Sequence, residues 1–349
     1  MAGAPTNHGG RITQRDIARR AGVSQTTVSL VLTNNSEAAS RIAPATRERV
    51  LQVIRETGYV ADPLARSLLR QHNQILGIFT YELVFPAGSA DFYHPFLQGI
   101  EACAESLGCD LLLFTSAPVT DGARRIFHEN NRLRLADGCV LLGRETPREE
   151  LTRLVREGHA FVSVGRRDDV DIDGTAPGRV PCVGADYAGA TSELARRAVA
   201  LGHRRIAYAG SGEGVESAVD RLGGLRAVVP DVLHERSAGR DPADLLAALL
   251  AAGVTAVFCE LPADAVALHG AALACGLRVP EDLSLVGLGE EDGPGRLEPA
   301  LTCLRIPRRE MGWQAVEVLV DVLHGTSDDH QRLLPCAMVP GQTLGPRQI

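Results

Sequence analysis

The order of apolar and polar residues divides the chain into a helical head and a longer body of alternating strands and helices. Residues 11–58 contain only helical signals, and from Gln74 to about Leu304 short apolar runs alternate with helical stretches. The strand-like runs are 75–80, 109–115, 139–143, 160–165, 182–186, 205–210, 256–260 and 283–289, and helical patterns cover 93–107, 187–201, 242–252, 263–276 and 310–323.

This alternation predicts an α/β body with parallel sheets, because consecutive parallel strands need a crossover connection. Eight strand-like runs are too many for one small sheet, which leaves a closed eight-fold barrel or two doubly wound lobes. The polar stretch 166–181 falls midway along the body and favours two lobes.

The head carries the signals of a helix, a tight turn and a second helix. Thr13 and Asp16 form a capping box that starts a helix over 14–20, and Gly22 permits the backbone that ends it. Ser24 caps a second helix over 25–32, and a third begins at Pro44 and ends before Gly58. Packing between the first two helices is predicted for Ile17, Ala18, Ala21, Val23, Val28 and Val31. This spacing predicts a helix-turn-helix, with an ordinary three-helix bundle as the alternative.

Charge is divided unevenly along the 349 residues. The whole chain has 36 basic and 43 acidic residues, a net charge of −7, yet residues 1–72 carry ten arginines against five acidic residues. A basic head on an acidic body indicates a polyanionic partner for the head alone. No apolar window is long enough to span a membrane, residues 1–10 lack a signal-peptide core, and the eight cysteines form no Cys-x-x-Cys pair. We therefore expect a cytoplasmic protein without a membrane segment.

The connector after the head has its own helical signal. Asp62 and Pro63 suit the start of a short helix that continues through residues 64–69. Two turns of helix are marginal alone in water, so this segment is expected to order against a partner copy and DNA. Its leucines either insert into the minor groove of DNA or pack on the next domain.

Motifs along the whole chain match those of one known family. In the head and connector they are Ile12–Ser24, Thr27–Ser29, Thr46–Val50, Gly58–Tyr59 and Pro63–Leu68. In the body they are Leu201–Ala207, Arg221–Gly224, Gly276–Gly287 and Leu301–Thr302. On these motifs the chain resembles the lactose/galactose repressor family over roughly residues 11–345.

The resemblance implies a helix-turn-helix head, a hinge helix, and a body like periplasmic sugar-binding proteins, with two Rossmann-like lobes and a ligand cleft between them. The implied domains are the head at 11–58, the hinge at 59–73, a first lobe from 74–180 with 305–327, and a second lobe from 181–304 with 328–349. The implied function is that of a homodimeric transcription regulator, usually a repressor, which binds a palindromic double-stranded DNA operator and needs no cofactor.

The resemblance also implies the residues that contact DNA. Those expected in the major groove are Gln25, Thr26, Thr27, Ser29 and Leu30. Leu30 departs from the arginine usual in the family, and leucine cannot make the bidentate contact to guanine. Those expected at the phosphate backbone are Arg11, Thr13, Arg41, Arg47 and Tyr59, and those at the minor groove are Ala65, Arg66 and Leu68. Leu68 matches the leucine that intercalates at the operator centre.

The ligand residues implied by the resemblance are Tyr93, Phe96, Arg221, Asp264 and Glu290. The two aromatic residues, in a stretch that follows the first strand, either stack on a ligand or pack in the core. Ala263–Asp264 stands where an Asn–Asp pair is usual, and Gly289 followed by Glu290 replaces a usual aspartate. A sugar or sugar-like metabolite is therefore the first expectation, with another metabolite or no effector as alternatives.

Other motifs do not support a metal site or an enzyme. Residues 169–174 copy the first half of a calcium loop, but Val180 stands where its bidentate glutamate belongs. No grouping of nucleophile and base is evident, so we predict neither a catalytic residue nor a metal. The alternatives are a small-molecule binding protein whose head does not read sequence, and an α/β enzyme that has kept an ancestral head.

Overall fold

The computed structural model describes residues 12–33, 42–59, 73–82, 90–120, 123–129, 131–168, 170–171, 177–290, 298–326 and 330–347. The chain divides into two compact units, Met1–Asn73 and Gln74–Ile349. The division falls where the sequence predicts the body to begin.

Within its described residues, 12–33 and 42–59, the head unit contains three helices at the predicted places. They are α1 (Gln14–Ala21), α2 (Gln25–Thr33) and α3 (Pro44–Thr57). Both halves of the capping box between Thr13 and Asp16 are present, and the amide of Thr27 donates to Ser24 Oγ at 3.1 Å. Ile17, Val28 and Val50 are fully buried where the three helices meet. The apolar spacing predicted from the sequence therefore forms the core of the head.

The first lobe of the body is built on a six-stranded, wholly parallel sheet in the order β15-β9-β6-β5-β1-β2. Its strands are β1 (Ile75–Thr80), β2 (Asp110–Phe114), β5 (Gly138–Leu142), β6 (Phe161–Val164), β9 (Cys182–Asp186) and β15 (Gln331–Pro335). Its helices are α4 (Ala90–Ser106), α5 (Arg148–Arg156) and α10 (Arg308–His324), with a 3-10 turn at Leu133–Leu135. Two short antiparallel pairs are β3 (Val119–Thr120) with β4 (Ala123–Arg124) and β7 (Val170–Asp171) with β8 (Pro177–Gly178).

The second lobe has a six-stranded sheet in the order β11-β10-β12-β13-β14-β16, parallel except for its edge strand β16. Its strands are β10 (Ile206–Ala209), β11 (Leu233–Glu235), β12 (Ala256–Cys259), β13 (Ser284–Gly287), β14 (Thr302–Arg305) and β16 (Ala337–Val339). Its helices are α6 (Tyr187–Ala200), α7 (Glu216–Arg226), α8 (Pro242–Ala251) and α9 (Pro262–Ala274). Two sheets rather than one closed barrel confirm the two-lobed prediction.

The resemblance implied crossings between the lobes near residues 180, 305 and 328. Two of these crossings occur later in the chain than implied. Strand β9 pairs with β6 and β15 in the first sheet, so the first crossing follows Asp186 and not residue 180. Strand β15 also belongs to the first sheet, which moves the last crossing from about 328 to Cys336. Backbone pairing of these two strands is the reason for both corrections, while the crossing near 305 lies between β14 and α10.

Two helix pairs pack so closely that only glycine fits at the contact. A Cβ on Gly312 of α10 would lie 2.1 Å from the carbonyl oxygen of Phe96 on α4. A Cβ on Gly224 of α7 would lie 2.3 Å from the carbonyl oxygen of Ala188 on α6. The first contact places α10 beside α4, and the second places the end of α7 beside the start of α6. Among the described residues, no helix is both long and apolar enough to cross a membrane.

Candidate functional site

The tight turn of the head presents the first residues of α2 to solvent. Gly22 ends α1 with φ +64°, and its amide donates to the Ala18 carbonyl. Nothing lies within 4 Å of a Cβ built at Gly22, so the backbone conformation and not space requires glycine. The arginine of α3 at position 49 donates from Nε to the Ala21 carbonyl at 2.9 Å, which ties α3 to the end of α1.

The predicted base-reading residues lie on α2 with different exposures. Gln25 and Thr26 are exposed, while Thr27, Ser29 and Leu30 are half-buried. The hydroxyl of Thr27 lies 2.9 Å from that of Ser24, within the cap of the helix. Gln25 accepts a hydrogen bond from Arg15 Nε at 3.3 Å. The first turn of α2 is thus held in place by these hydrogen bonds and is accessible to a binding partner.

The predicted backbone contacts are only partly described. The Thr13 hydroxyl donates to Asp16 Oδ2 at 2.7 Å, and Tyr59 is half-buried with its amide bonded to the Ile54 carbonyl. Arg47 lies near the start of α3. Predictions made for Arg11, Arg41, Ala65, Arg66 and Leu68 lie outside the described residues.

A cleft of about 230 Å³ lies between the two lobes of the body. It is lined by residues at the carboxyl ends of the parallel strands and at the starts of the helices that follow them. Open α/β sheets bind ligands at this edge. Four of the five predicted ligand residues line this cleft, namely Tyr93, Phe96, Arg221 and Glu290.

An aromatic group from the first turns of α4 forms the first-lobe side of the cleft. Tyr93 and Phe96 are buried in the lobe core as well as lining the cleft, and the Tyr93 hydroxyl donates to Glu82. Burial raises the pKa of the Tyr93 phenol well above its usual range. Phe92 is half-buried, and the guanidinium groups of Arg144 and Arg308 lie 4.4 Å and 4.8 Å from its ring centroid. These aromatic residues lie on a helix, which begins at Ala90, three residues before the helical pattern predicted for 93–107.

Arg221 lies in the second-lobe wall, where α7 packs on α6. Its guanidinium stacks 4.0 Å from the ring centroid of Tyr187. Its Nε donates to the Leu288 carbonyl at 2.9 Å and its Nη1 to the Ser217 carbonyl at 3.1 Å. The close contact at Gly224 brings α7 near enough to α6 for this stacking. The arginine predicted to bind a ligand is thus held rigidly at the cleft.

Glu260 is a cleft carboxylate that the sequence analysis did not single out. It follows β12 and accepts hydrogen bonds from Tyr208 Oη at 2.6 Å and from the Gly212 amide at 2.8 Å. A Cβ at Gly210 would lie 2.3 Å from Glu260 Cβ, so the glycine at 210 makes room for it. Among the described residues, only neutral donors hold this carboxylate. Burial together with Glu260 raises the pKa of Tyr208 well above its usual range.

The two predicted acidic ligand residues differ in placement. Asp264, on α9, does not line the cleft; its carboxylate accepts from Ser237 Oγ at 2.6 Å, and burial raises its pKa. Glu290 does line the cleft and pairs with Arg305 at 3.0 Å. The side-chain hydrogen bond to Ser237 directs Asp264 elsewhere.

Ion pairs across the cleft join the two lobes. Arg166, after β6 of the first lobe, pairs with Asp220 on α7 of the second at 2.6 Å. Arg148, at the start of α5, pairs with Glu216 at the start of α7, and Arg167 Nη1 lies 3.8 Å from the same carboxylate. The Asp168 amide donates to Glu216 at 2.8 Å. These five side chains, 148, 166, 167, 216 and 220, are called the inter-lobe ion pairs below.

Burial shapes the electrostatics of these pairs. The side chains of Arg167 and Glu216 are only 7% and 10% exposed. Burial lowers the pKa of Arg167, which Glu216 opposes, and burial raises the pKa of Asp220, which Arg166 opposes. The buried charges of Arg167 and Asp220 are not stable in such surroundings without their oppositely charged partners. The two lobes are therefore held together here by mutual neutralisation.

One signal in the sequence would have found most of the residues that were missed. Glu260, Arg144, Arg166 and Arg167 all lie within three residues after the end of a buried apolar strand. Polar side chains at the carboxyl ends of parallel strands face the ligand-binding edge. The inter-lobe partners Glu216 and Asp220 carried no comparable signal, because their helix was not predicted.

Two segments of the chain match known protein families. Residues 13–62 match the family described as bacterial regulatory proteins, lacI family, and residues 195–344 match the periplasmic binding protein-like domain. Among curated relatives, the HTH-type transcriptional regulator CelR of Thermobifida fusca is 28% identical over 341 residues, which is 93% of this chain and 95% of that protein. The HTH-type transcriptional repressor CytR of Escherichia coli K12 is 28% identical over 343 residues, 94% of each chain.

Solved structures show the same fold. The lac repressor dimer bound to operator and the anti-inducer ONPF is similar with a TM-score of 0.73 and 22% identity, covering 96% of this chain and 100% of that one. The complex of the transcriptional regulator CelR with cellobiose has a TM-score of 0.60 and 24% identity, covering 95% and 100%.

Proposed function

Because the chain belongs to the lacI family of bacterial regulatory proteins, we propose that it is a cytoplasmic, homodimeric, DNA-binding transcription regulator. We expect it to act as a repressor. A small ligand bound in the inter-lobe cleft sets its affinity for a palindromic operator. The observation that carries the proposal is the head: a Gly22 turn with positive φ presents the exposed Gln25 and Thr26 at the start of α2.

The roles of the head residues follow from their chemistry. The amide of Gln25 can pair with adenine, and Thr26 and Ser29 offer hydroxyl groups to base edges. Leu30 can contact a thymine methyl but gives no bidentate contact to guanine. Thr27 supports the cap of α2, since its hydroxyl already lies beside Ser24. Arg47 and the other basic residues of the head supply phosphate contacts that position it without specifying sequence.

Ligand control follows from the two-lobed body. A ligand that contacts both walls of the cleft stabilises one lobe arrangement over another and so shifts the population of operator-binding dimers. Relatives support a carbohydrate as the first ligand to test, because a related regulator has been solved in complex with cellobiose. Arg221 is the arginine proposed to bind it, with Tyr93 and Phe96 forming the floor of the site and Glu290 at its rim.

Selection of bound sequences from a random DNA pool by the full chain, at two salt concentrations, tests the proposal. We expect a palindromic motif, and binding that weakens steeply with salt because phosphate contacts release counterions. Binding without an enriched motif would mean that the head binds the phosphate backbone of DNA without recognising a base sequence. The variant Gln25→Ala should relax the preference at one position of each half-site while leaving the salt dependence unchanged.

A further inference from the structure

We infer that the cleft is built for an anionic carbohydrate, a polyhydroxylated ligand with a carboxylate or phosphate group held beside Phe92. The inference rests on the proposed function in taking this ligand as the effector of the regulator. It specifies a charge for the ligand, which the family resemblance leaves open.

The first observation is the convergence of two positive charges on one ring. Arg144 follows β5 and Arg308 begins α10, yet their guanidinium carbons lie 4.4 Å and 4.8 Å from the centroid of Phe92. Each group gains a modest cation–π attraction from the ring. An anion bound at Arg144 beside this ring would accept charge-assisted hydrogen bonds from its guanidinium.

The second observation is that the charge of Arg144 is not neutralised within the described part of the chain, where it makes no ion pair. The carboxylate of Glu82, which accepts from the Arg144 backbone amide, is engaged elsewhere. One of its oxygens accepts from the Tyr93 hydroxyl, and the other accepts from the backbone amides of Arg144 and Glu145 at 3.0 Å and 3.4 Å. Glu82 is not among the residues that line the cleft.

The third observation is that most carboxylates of the cleft are already paired with arginine. Glu216 and Asp220 belong to the inter-lobe ion pairs, and Glu290 pairs with Arg305. Arg221, by contrast, donates to two backbone carbonyls and stacks on Tyr187, and among the described residues it pairs with no carboxylate. Both walls of the cleft therefore present a guanidinium group to the ligand.

The remaining cleft carboxylate, Glu260, is suited to bind the part of the ligand that lies away from its acid group. In the described part of the chain Glu260 is held only by neutral donors, and it lines the cleft, so it has acceptor capacity for ligand hydroxyl groups. A bare inorganic anion would gain nothing from it. The rings of Phe92 and Tyr187 are themselves covered by guanidinium groups, which favours polar and ionic recognition over stacking of a neutral sugar. A cleft of about 230 Å³ suits a small ligand.

The test is a screen of the full chain against neutral sugars, each matched with its uronate and its sugar phosphate, followed by calorimetric titration of the hits. D-Glucose, D-glucuronate and D-glucose 6-phosphate form one such set, and inorganic phosphate is titrated separately. We expect hits among the anionic members, with at least about tenfold tighter binding than the neutral partner. The uronate and phosphate arms decide which acid group fits.

Variants of one position separate charge from packing. Arg144→Met keeps an apolar stem on Phe92 without the charge, and it should remove the preference for the anion. Arg144→Lys should keep it, and Arg309→Gln, which changes an exposed arginine on α10 that does not line the cleft, should leave it unchanged.

Several results would overturn the inference: equal binding of a neutral sugar, no binding of any anionic member, or a preference for the anion that survives Arg144→Met. Inorganic phosphate binding as tightly as a sugar phosphate would refute the carbohydrate part. Operator binding is measured separately on the same protein. Loss of operator binding alone refutes the proposed function, whereas neutral hits on an operator-binding chain refute only this inference.

Discussion

Replacing Glu216 by glutamine tests whether the inter-lobe ion pairs hold the two lobes together. Glu216 is the second-lobe partner of both Arg148 and Arg167, and it accepts the Asp168 amide at 2.8 Å. Glutamine has nearly the same shape and can still accept that amide, so the change removes the charge and little else. We expect the lobes to separate more readily, because Arg167 is left in a buried site without its neutralising partner.

The expected cost lies between two limits. Breaking a fully buried ion pair by removing one partner costs about 3–5 kcal/mol, whereas an exposed pair contributes about 0–1 kcal/mol. Arg148 is 36% exposed and contributes little, while Arg167 is 7% exposed but lies 3.8 Å from the carboxylate. We therefore expect a loss of about 2 kcal/mol, which corresponds to about 4–8 °C in the melting temperature of the body.

Calorimetry of the full chain and small-angle X-ray scattering measure the two consequences. We expect a lower melting temperature of the body transition and a larger radius of gyration. The control is Glu193→Gln, which breaks an exposed pair with Arg196 at 2.9 Å on α6 and should change neither quantity measurably. A melting temperature within about 1 °C of the parent and an unchanged radius would refute the reasoning.

Three further outcomes test other parts of the molecule. Gly22→Ala should cost the head about 1 kcal/mol by forcing a side chain into positive φ, seen as faster hydrogen exchange of the α2 amides; unchanged exchange would contradict it. Burial lowers the pKa of His203 below its usual 6.5, so the unfolded chain binds the proton more readily and stability should fall as pH drops through about 6.5. In His203→Asn the melting temperature should depend less on pH across that range, and an identical pH profile would exclude His203 as the cause. Leu68→Ala should reduce operator bending and affinity in a gel assay with phased bends, and unchanged affinity would exclude an intercalating role.

The sequence predicted eight strands well because each is a short, continuous apolar run. The runs at 75–80 and 182–186 match their strands to the residue, and the others differ by one or two positions at one or both ends. It missed β11, β14, β15 and β16. Of these, β15 is mostly half-exposed and joins the first sheet by pairing with β9, far away in sequence. Such pairing depends on the folded arrangement and leaves no local pattern.

The candidate site was harder to predict than the fold for the same reason. Helix α7 contains Gly223 and Gly224, which lower helix propensity, and only its packing on α6 explains why it forms. Its residues Glu216 and Asp220 meet arginines that are 68 and 54 positions away. Arg221 was predicted because it belongs to a recognisable motif, whereas the partners of Glu216 and Asp220 could be identified only once the lobes were placed.

The moderate strength of the inter-lobe ion pairs suits control by a ligand. Reversing a population from 1:99 to 99:1 needs a difference of about 5.5 kcal/mol in ligand affinity between the two states. Arg166 and Asp220 remain 20% and 23% exposed, so these pairs bias the lobe arrangement by a few kcal/mol and do not fix it. Two or three charge-assisted hydrogen bonds from a ligand, each about 1.5–3 kcal/mol, are of matching size. A dry apolar contact between the lobes would lack this balance, because no small ligand could offset the burial of a large apolar area.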